Sequence, residues 1–207
     1  MSAGAREALE RLREGNQRFA SGAPTLESKL GQARRASLAT SQRPFAIVLG
    51  CSDSRVPAEL VFDQGLGDLF VIRVAGNIVA PSQVGSVEFA AAAFGTSLAV
   101  VLGHTRCGAV QAALDEARSP AGHSPNLRSI VDRIRPSVET LLATELRHDE
   151  ERLVQQAVRA NVRASVSHLR HGSALLEQLI ADDRLLVVGA EYSLETGVVD
   201  FFEGAGG

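Results

Sequence analysis

Two uniformly apolar runs of strand length, 45–50 and 98–103, constrain the fold of this chain more than any other feature of its sequence. Apolar runs without alternation are typical of strands that helices cover on both faces of a parallel sheet. Similar runs at 69–74 and 185–188 predict two further strands, and 198–202 predicts a fifth at an edge. We therefore expect an α/β fold with a mainly parallel sheet of four strands plus an edge strand, and helices on both faces.

Helical patterns fill the intervals between the strands. Residues 5–20 carry Leu9, Leu12 and Phe19 at helical spacing, and 26–40 predict a second helix, so that 1–40 form an N-terminal helical arm. With 207 residues, 45% of them hydrophobic, the chain is expected to form a single α/β domain over 1–207. The other predicted helices are 56–63, 84–94, 108–117, 127–147 with a possible kink at Pro136, 150–171, and a last one that ends near Ile180.

Composition argues against several classes of partner. The formal net charge is -3, which gives no overall positive field for nucleic acid or an anionic membrane. No apolar run approaches the roughly 18 residues that span a bilayer. The first ten residues carry early charges and no apolar core of a signal peptide. We expect a cytoplasmic protein, whose thiols stay reduced and free to bind a metal.

Both cysteines of the chain lie in short motifs directly after two of the predicted strands. Cys51-Ser-Asp53-Ser-Arg55 follows the run 45–50, and His104-Thr-Arg-Cys107 follows the run 98–103. Ligands of parallel sheets bind beyond the carboxyl ends of the strands, where the strand order reverses. If these two strands are neighbours, two thiolates, an imidazole and a carboxylate meet there. Thiolate and imidazole favour zinc, and the carboxylate is the more replaceable ligand.

The fourth position of such a site decides between catalysis and structure. An arginine fork can hold a carboxylate through two hydrogen bonds, so Arg55 competes with zinc for Asp53. If Asp53 stays bound to Arg55, water takes the fourth position on zinc. If Asp53 binds zinc instead, the site is closed. Spacing argues against a structural zinc module, which usually has two close pairs of ligands. Two alternatives remain from the residues alone: two buried cysteines without metal, or thiol chemistry.

At these residues the chain resembles a β-class carbonic anhydrase. The resemblance is carried by Cys51-Ser-Asp53-Ser-Arg55-Val-Pro-Ala-Glu59, by Gly67-Asp-Leu-Phe-Val-Ile-Arg73-Val-Ala-Gly-Asn77 and by Gly103-His104-Thr-Arg-Cys107-Gly-Ala. It extends more loosely from Glu14 to the fifth strand, over nearly the whole chain. The combination of C-x-D-x-R with H-x-x-C is highly specific.

The resemblance implies one zinc ion per chain, bound by Cys51, His104 and Cys107. It also implies a dyad of Asp53 and Arg55 beside the metal, with Asp53 as a fourth ligand only in a closed state. Reversible hydration of CO₂ to bicarbonate and a proton by zinc-bound hydroxide is the implied activity, that of a lyase (carbonate dehydratase).

Further residues match family positions outside the metal centre. Gln42 stands at the position of a substrate-positioning glutamine, and Phe70 and Ala75 match an apolar CO₂ pocket. Some members also have a non-catalytic bicarbonate pocket of tryptophan, arginine and tyrosine. Arg73 and Tyr192 match two of its positions, but Val48 replaces the tryptophan, which leaves that pocket incomplete.

The family forms homodimers with active sites near the subunit interface, often paired into homotetramers, and the same arrangement is implied for this chain. Two other functions remain as alternatives. One is hydrolysis of carbonyl sulfide or carbon disulfide on the same zinc site. The other, from a different class, is a closed-zinc regulatory or binding protein in which Asp53 stays on the metal.

Overall fold

A computed structural model describes residues 1–25, 32–119 and 122–205, without the side chains of 32–34. Its centre is a five-stranded sheet with the order β2-β1-β3-β4-β5. The first four strands are parallel, and β5 pairs antiparallel with β4 at an edge. The prediction of a mainly parallel α/β sheet with an edge strand is confirmed. The strands are β1 Ala46–Gly50, β2 Leu69–Arg73, β3 Leu98–His104, β4 Leu186–Tyr192 and β5 Val199–Glu203.

Burial explains why the central strands are uniformly apolar. Every residue of β1 and β3 is buried, because helices cover both faces of the sheet. One face packs Val48, Val100 and Val188 against the N-terminal helix. The opposite face packs Ile47 and Val101, with their neighbours, against three later helices. β4 runs four residues further than the predicted 185–188, because its end pairs with β3 as far as Tyr192.

Eight α-helices surround the sheet in the described residues. Residues 26–31 lie outside them, so the predicted helix 26–40 is seen only as its later part, Gln32–Ser37. The predicted helix 127–147 divides into a helix that continues through Pro136 and a 3₁₀ turn, Glu145–His148. The helices are α1 Ala3–Ala20, α2 Gln32–Ser37, α3 Ala58–Val61, α4 Pro81–Phe94, α5 Gly108–Arg118, α6 Pro125–Leu142, α7 Glu150–His171 and α8 Ala174–Ala181.

The apolar stripe of α1 packs inside its own chain. Leu9 and Leu12 are buried in the core cluster that contains Val48, and Phe19 packs near Tyr192. The stripe is therefore buried against the core of its own chain. Among the described residues, no helix is both long enough and apolar enough to cross a membrane.

Helix α7 lies unusually close to the central strands because two glycines face it. A Cβ atom on Gly103 would lie 2.5 Å from Val162 Cγ2, and one on Gly189 would lie 2.8 Å from Val162 Cγ1. Real Cβ atoms do not approach other atoms this closely, so any larger residue would push the helix away. The close approach brings the buried face of α7 to the carboxyl edge of the sheet.

Candidate metal centre and active site

The two cysteine motifs meet at the carboxyl edge of the sheet, as their positions after β1 and β3 predicted. These strands are parallel neighbours, with Gly50 paired to Leu102. Because β2 lies on the other side of β1, the strand order reverses between β1 and β3, where α/β folds bind ligands. Cys51 follows β1, His104 ends β3, and Cys107 is the N-cap residue of α5.

Cys51, His104 and Cys107 form a compact group of metal-ligand atoms. One donor atom from each residue lies within 4.8 Å of the other two, and all three residues are buried. Two sulfurs and an imidazole nitrogen are the donors that zinc prefers, with bonds of about 2.0–2.3 Å. Within the described ranges, this is the one group of three or more such donors.

The ring of His104 is oriented for metal binding. Its Nδ1 lies 2.9 Å from the carbonyl oxygen of Thr105, which fixes the proton on Nδ1 when the ring is neutral. Its Nε2 is buried and has no hydrogen-bond partner. A buried nitrogen without a hydrogen-bond partner is costly, and a nitrogen that lies close to two cysteine sulfurs suits a cation. The residues present therefore fit zinc.

Cys51 is the more acidic of the two thiols. The Cys107 thiol donates a hydrogen bond to it, and contacts with His104 and the Gly76 N–H help to lower the pKa of Cys51 to about 4 despite burial. The same contact, together with burial, raises the pKa of Cys107, against the opposing effect of the Ala109 and Val110 N–H groups on α5. The shared contact thus makes Cys51 the thiol that loses its proton more readily.

Asp53 lies beside the ligand group but is held by Arg55. Arg55 Nε donates to Oδ1 at 2.9 Å and Nη2 donates to Oδ2 at 2.7 Å, while the Arg55 backbone N–H donates to Oδ1 at 2.9 Å. These hydrogen bonds hold the pKa of Asp53 well below its usual range. Asp53 Oδ2 is 3.9 Å from His104 Nε2, so the carboxylate reaches the metal centre while bound to arginine.

Arg73 anchors the loop that carries Cys51 and Asp53. Its Nε donates to the Cys51 carbonyl at 3.0 Å, and its Nη2 donates to the Asp53 carbonyl at 2.6 Å. Val48 and Tyr192 instead share the apolar core on one face of the sheet. Of the three residues matched to a bicarbonate pocket, one thus holds the active-site loop and two lie in the core. The bicarbonate pocket remains a prediction.

The other predicted pocket residues lie in different places. Ala75 is next to the metal centre, because the following residue, Gly76, donates its N–H to Cys51 Sγ at 3.3 Å. Phe70 is the second residue of β2 and packs against two aromatic rings of α4. Gln42 precedes β1 and lines a groove of about 720 Å³ with Leu38. Phe70 and Gln42 thus lie near the amino ends of the strands, opposite the metal centre.

Two residues next to the site were missed by the sequence analysis. Asn161 Nδ2 donates to the Gly76 carbonyl at 2.8 Å, and Ser165 Oγ donates to the Asn77 carbonyl at 2.9 Å. Both side chains come from α7 and are buried. Their signal in the sequence is a polar pair four residues apart within the otherwise apolar face of a helix.

The similarity of the chain to known proteins agrees with this geometry. The carbonic anhydrase family model matches residues 46–199. Carbonic anhydrase 2 of Mycobacterium tuberculosis is 41% identical over 193 residues, which cover 92% of this chain and 89% of the relative. A carbonic anhydrase of Mycolicibacterium smegmatis is 42% identical over 196 residues, or 93% of this chain and 91% of the relative.

Comparison with solved structures also points to carbonic anhydrases. One of two tetrameric β-carbonic anhydrases from the filamentous ascomycete Sordaria macrospora matches with a TM-score of 0.73 and 28% sequence identity, over 81% of this chain and 85% of that chain. Residues 46–199, which the family model matches, contain both cysteine motifs, and the fold is shared with these solved enzymes. The chain therefore belongs to the β-class carbonic anhydrase family of enzymes.

Proposed function

We propose that the chain hydrates CO₂ reversibly to bicarbonate and a proton with one zinc ion held by Cys51, His104 and Cys107. The observation that carries this proposal is the buried Cys-His-Cys group, whose donor atoms lie within 4.8 Å of one another. Zinc in such a donor set supplies a Lewis acid that makes water lose a proton near neutral pH. The protein residues then have to hold that metal, orient the attacking oxygen and place CO₂.

Asp53 orients the attacking oxygen in this mechanism. Oδ1 accepts two hydrogen bonds from Arg55, whereas Oδ2 accepts one and keeps a further lone pair. Oδ2 can therefore accept one more hydrogen bond at the metal centre. Because the Arg55 contact lowers the pKa of Asp53, the group stays ionised and acts as an acceptor. Arg55 would also keep the Asp53 carboxylate from coordinating a metal held by Cys51, His104 and Cys107.

A second copy of the chain is proposed to complete the substrate pocket. The five residues of β1, at about 3.3 Å each, put about 16 Å between its two ends. Gln42 precedes the amino end and Cys51 follows the carboxyl end, so one chain does not bring them together. We assign Gln42 and Phe70 to the active site of a neighbouring subunit, where Gln42 orients an oxygen of CO₂ or bicarbonate and Phe70 adds to an apolar wall with Ala75.

Exposed apolar side chains beside β2 support this homodimer. Phe89 on α4 is 56% exposed although it packs against Phe70, and Leu66 just before β2 is 42% exposed. β2 also forms an edge of the sheet. An apolar rim next to a free strand edge is a surface that a second copy can cover. Pairing of dimers into a tetramer, as described for the Sordaria macrospora relatives, is proposed as a further step.

Two finer points of the function rest on the residues alone. The two free cysteines of the metal group favour a reducing compartment, so we place the enzyme in the cytoplasm. Regulation by bicarbonate is proposed to act through Arg73, which holds the loop of Cys51 and Asp53, because Val48 and Tyr192 are buried in the core.

One experiment tests the proposed function against its alternatives. Stopped-flow CO₂ hydration is measured on protein of known zinc content, and sulfide release from carbonyl sulfide and carbon disulfide is measured on the same sample. We expect one zinc per chain and CO₂ hydration far above sulfide release. Sulfide release as the dominant activity would favour the hydrolase. Stoichiometric zinc without hydration at pH 9 would favour the closed-zinc binding protein.

A further inference from the structure

A tight turn after β2 contacts the metal centre through its backbone. The turn, Ala75–Asn77, places the Gly76 N–H 3.3 Å from Cys51 Sγ. A Cβ atom on Gly76 would lie 2.7 Å from Ile134 Cδ1 and 3.0 Å from Ala109 Cβ, so α5 and α6 enclose the turn tightly. An N–H group aimed at a thiolate stabilises its charge and fixes the direction of its lone pairs.

The backbone of this turn is strained and needs external support. Gly76 has a φ of 70° and Asn77 a φ of 43°, so two consecutive residues are left-handed and the second is not glycine. Such conformations cost free energy and persist where the surrounding structure determines them. The support comes from hydrogen bonds to the two carbonyl groups of Gly76 and Asn77.

Helix α7 supplies that support through two buried polar side chains. Asn161 is 2% exposed and donates to the Gly76 carbonyl at 2.8 Å; Ser165 is 4% exposed and donates to the Asn77 carbonyl at 2.9 Å. They are one helical turn apart and bind consecutive carbonyls of the turn. Burying an amide and a hydroxyl is favourable only where both find partners, and these two carbonyls provide them.

We infer that Asn161, assisted by Ser165, is a positioning residue of the metal centre. By holding the Gly76 carbonyl, Asn161 keeps the left-handed turn in the one conformation in which the Gly76 N–H points at the sulfur of Cys51. Neither side chain touches a metal ligand, and both act through the backbone of the turn. The inference rests on the proposed zinc function of Cys51.

The test uses Asn161→Leu, which keeps the side-chain size but removes the donor. Groups that orient metal ligands change metal affinity by about 10–100-fold, so we expect the zinc dissociation constant to rise by several tens of fold. Ser165→Ala is expected to raise it by about tenfold. The full-length protein is titrated with zinc against a chromophoric chelator. The thiolate-to-metal absorption of the cobalt(II)-loaded protein is recorded as well and is expected to shift in Asn161→Leu.

Val166→Ala is the matched control. Val166 is a buried residue on the same helix that packs near Gly189 and makes no hydrogen bond to the turn. If Asn161 only contributed to folding, both variants would lower the melting temperature and leave the zinc constant and the cobalt spectrum at wild-type values. That result would overturn the inference.

The experiment distinguishes a failure of this inference from a failure of the proposed function. A wild-type chain that binds no zinc would overturn the proposed function and the inference together, whereas a zinc-binding wild type with an unchanged Asn161→Leu constant overturns the inference alone. If Asn161→Leu does not fold, Ser165→Ala carries the same test, and an unchanged zinc constant in that variant counts against the positioning role.

Discussion

Arg55 holds both carboxylate oxygens of Asp53, with Nε 2.9 Å from Oδ1 and Nη2 2.7 Å from Oδ2. The same carboxylate lies 3.9 Å from Nε2 of His104. A group this close to the ligand atoms would be free to coordinate the metal if its arginine were removed. We therefore propose that this ion pair determines whether water or the Asp53 carboxylate takes the fourth position.

We predict that Arg55→Ala abolishes CO₂ hydration while zinc stays bound. Loss of an orienting acid–base group typically costs about 10²–10⁴-fold, and closure of the site by Asp53 would place the loss at the upper end. Arg55→Lys, which cannot bind a carboxylate through two parallel bonds, should be intermediate. Stopped-flow rates and zinc content are measured on each variant.

Arg118→Ala is a matched control for the loss of a bidentate arginine. Arg118, at the end of α5, binds both oxygens of Glu150 at 3.1 and 2.5 Å on the protein surface. Exposed pairs of this kind contribute about 0–1 kcal/mol, so activity should stay at the wild-type value. An active Arg55→Ala enzyme would contradict the gating role of Arg55.

The second prediction concerns pH. The Arg55 contact lowers the pKa of Asp53 in the folded state, so any stability from this pair is fully present above the unfolded pKa of about 3.9 and is lost as pH falls through the folded pKa. Asp53 therefore does not titrate between pH 6 and 9. CO₂ hydration should nevertheless rise over that range, because hydroxide must form at the metal centre.

Two measurements test whether the rate depends on pH while Asp53 stays ionised. The rate is followed from pH 6 to 9, where a flat profile would argue against the proposed mechanism. The difference in unfolding free energy between the wild type and Asp53→Asn is measured over the same range and should stay constant. A difference that changes near pH 7 would show that Asp53 titrates there.

Removal of zinc provides the third prediction. Binding to the folded state alone stabilises it by about 2.7 kcal/mol when free zinc is 100 times its dissociation constant. Dialysis against a chelator should lower the melting temperature and abolish activity, and added zinc should restore both. Cys51→Ser, which replaces the more acidic thiol, should lose the zinc-dependent rise in melting temperature. A rise that persists in this variant would place the metal elsewhere.

The sheet and the meeting of the two motifs could be predicted because both depend on local patterns. The apolar runs at β1 and β3 indicate strands buried on both faces, and parallel neighbours place Cys51 and His104 at one edge. The pairing of Asp53 with Arg55 follows from a separation of two residues. The meeting of the two motifs needed only the apolar runs and the assumption that β1 and β3 are neighbouring strands.

The rest depends on packing between distant segments. Asn161 reaches Gly76 across 85 positions, and only because glycines at 103 and 189 let α7 approach the sheet. Arg73 matches a bicarbonate-pocket position in sequence, and its contact with the Cys51 carbonyl at the end of β2 is visible only in the structure. The apolar stripe of α1 does not indicate from sequence alone whether it packs on the core of its own chain or on a neighbouring subunit, because either arrangement would bury the same apolar side chains.

The last prediction tests whether the active site is shared between subunits. In a symmetric dimer whose sites combine Asp53 of one chain with Gln42 of the other, Asp53→Asn and Gln42→Ala each inactivate both sites. A mixed dimer of the two variants has one site that carries both substitutions and one site that carries neither. Random mixing makes about half of the dimers mixed, so the sample should recover about a quarter of the wild-type rate.

The control is a mixture in which both substitutions lie in the same chain. When the double variant Gln42→Ala/Asp53→Asn is mixed with wild type, each mixed dimer has two damaged sites, and activity should fall to about a quarter of the wild-type rate. If Gln42 instead served the metal centre of its own chain, the mixture of single variants would stay inactive and the double-variant mixture would keep about half. Compared with a shared site, an own-chain site thus lowers the activity of the first mixture and raises that of the second. We expect the shared-site result, because Gln42 lies near the amino end of β1, remote from Cys51 of its own chain.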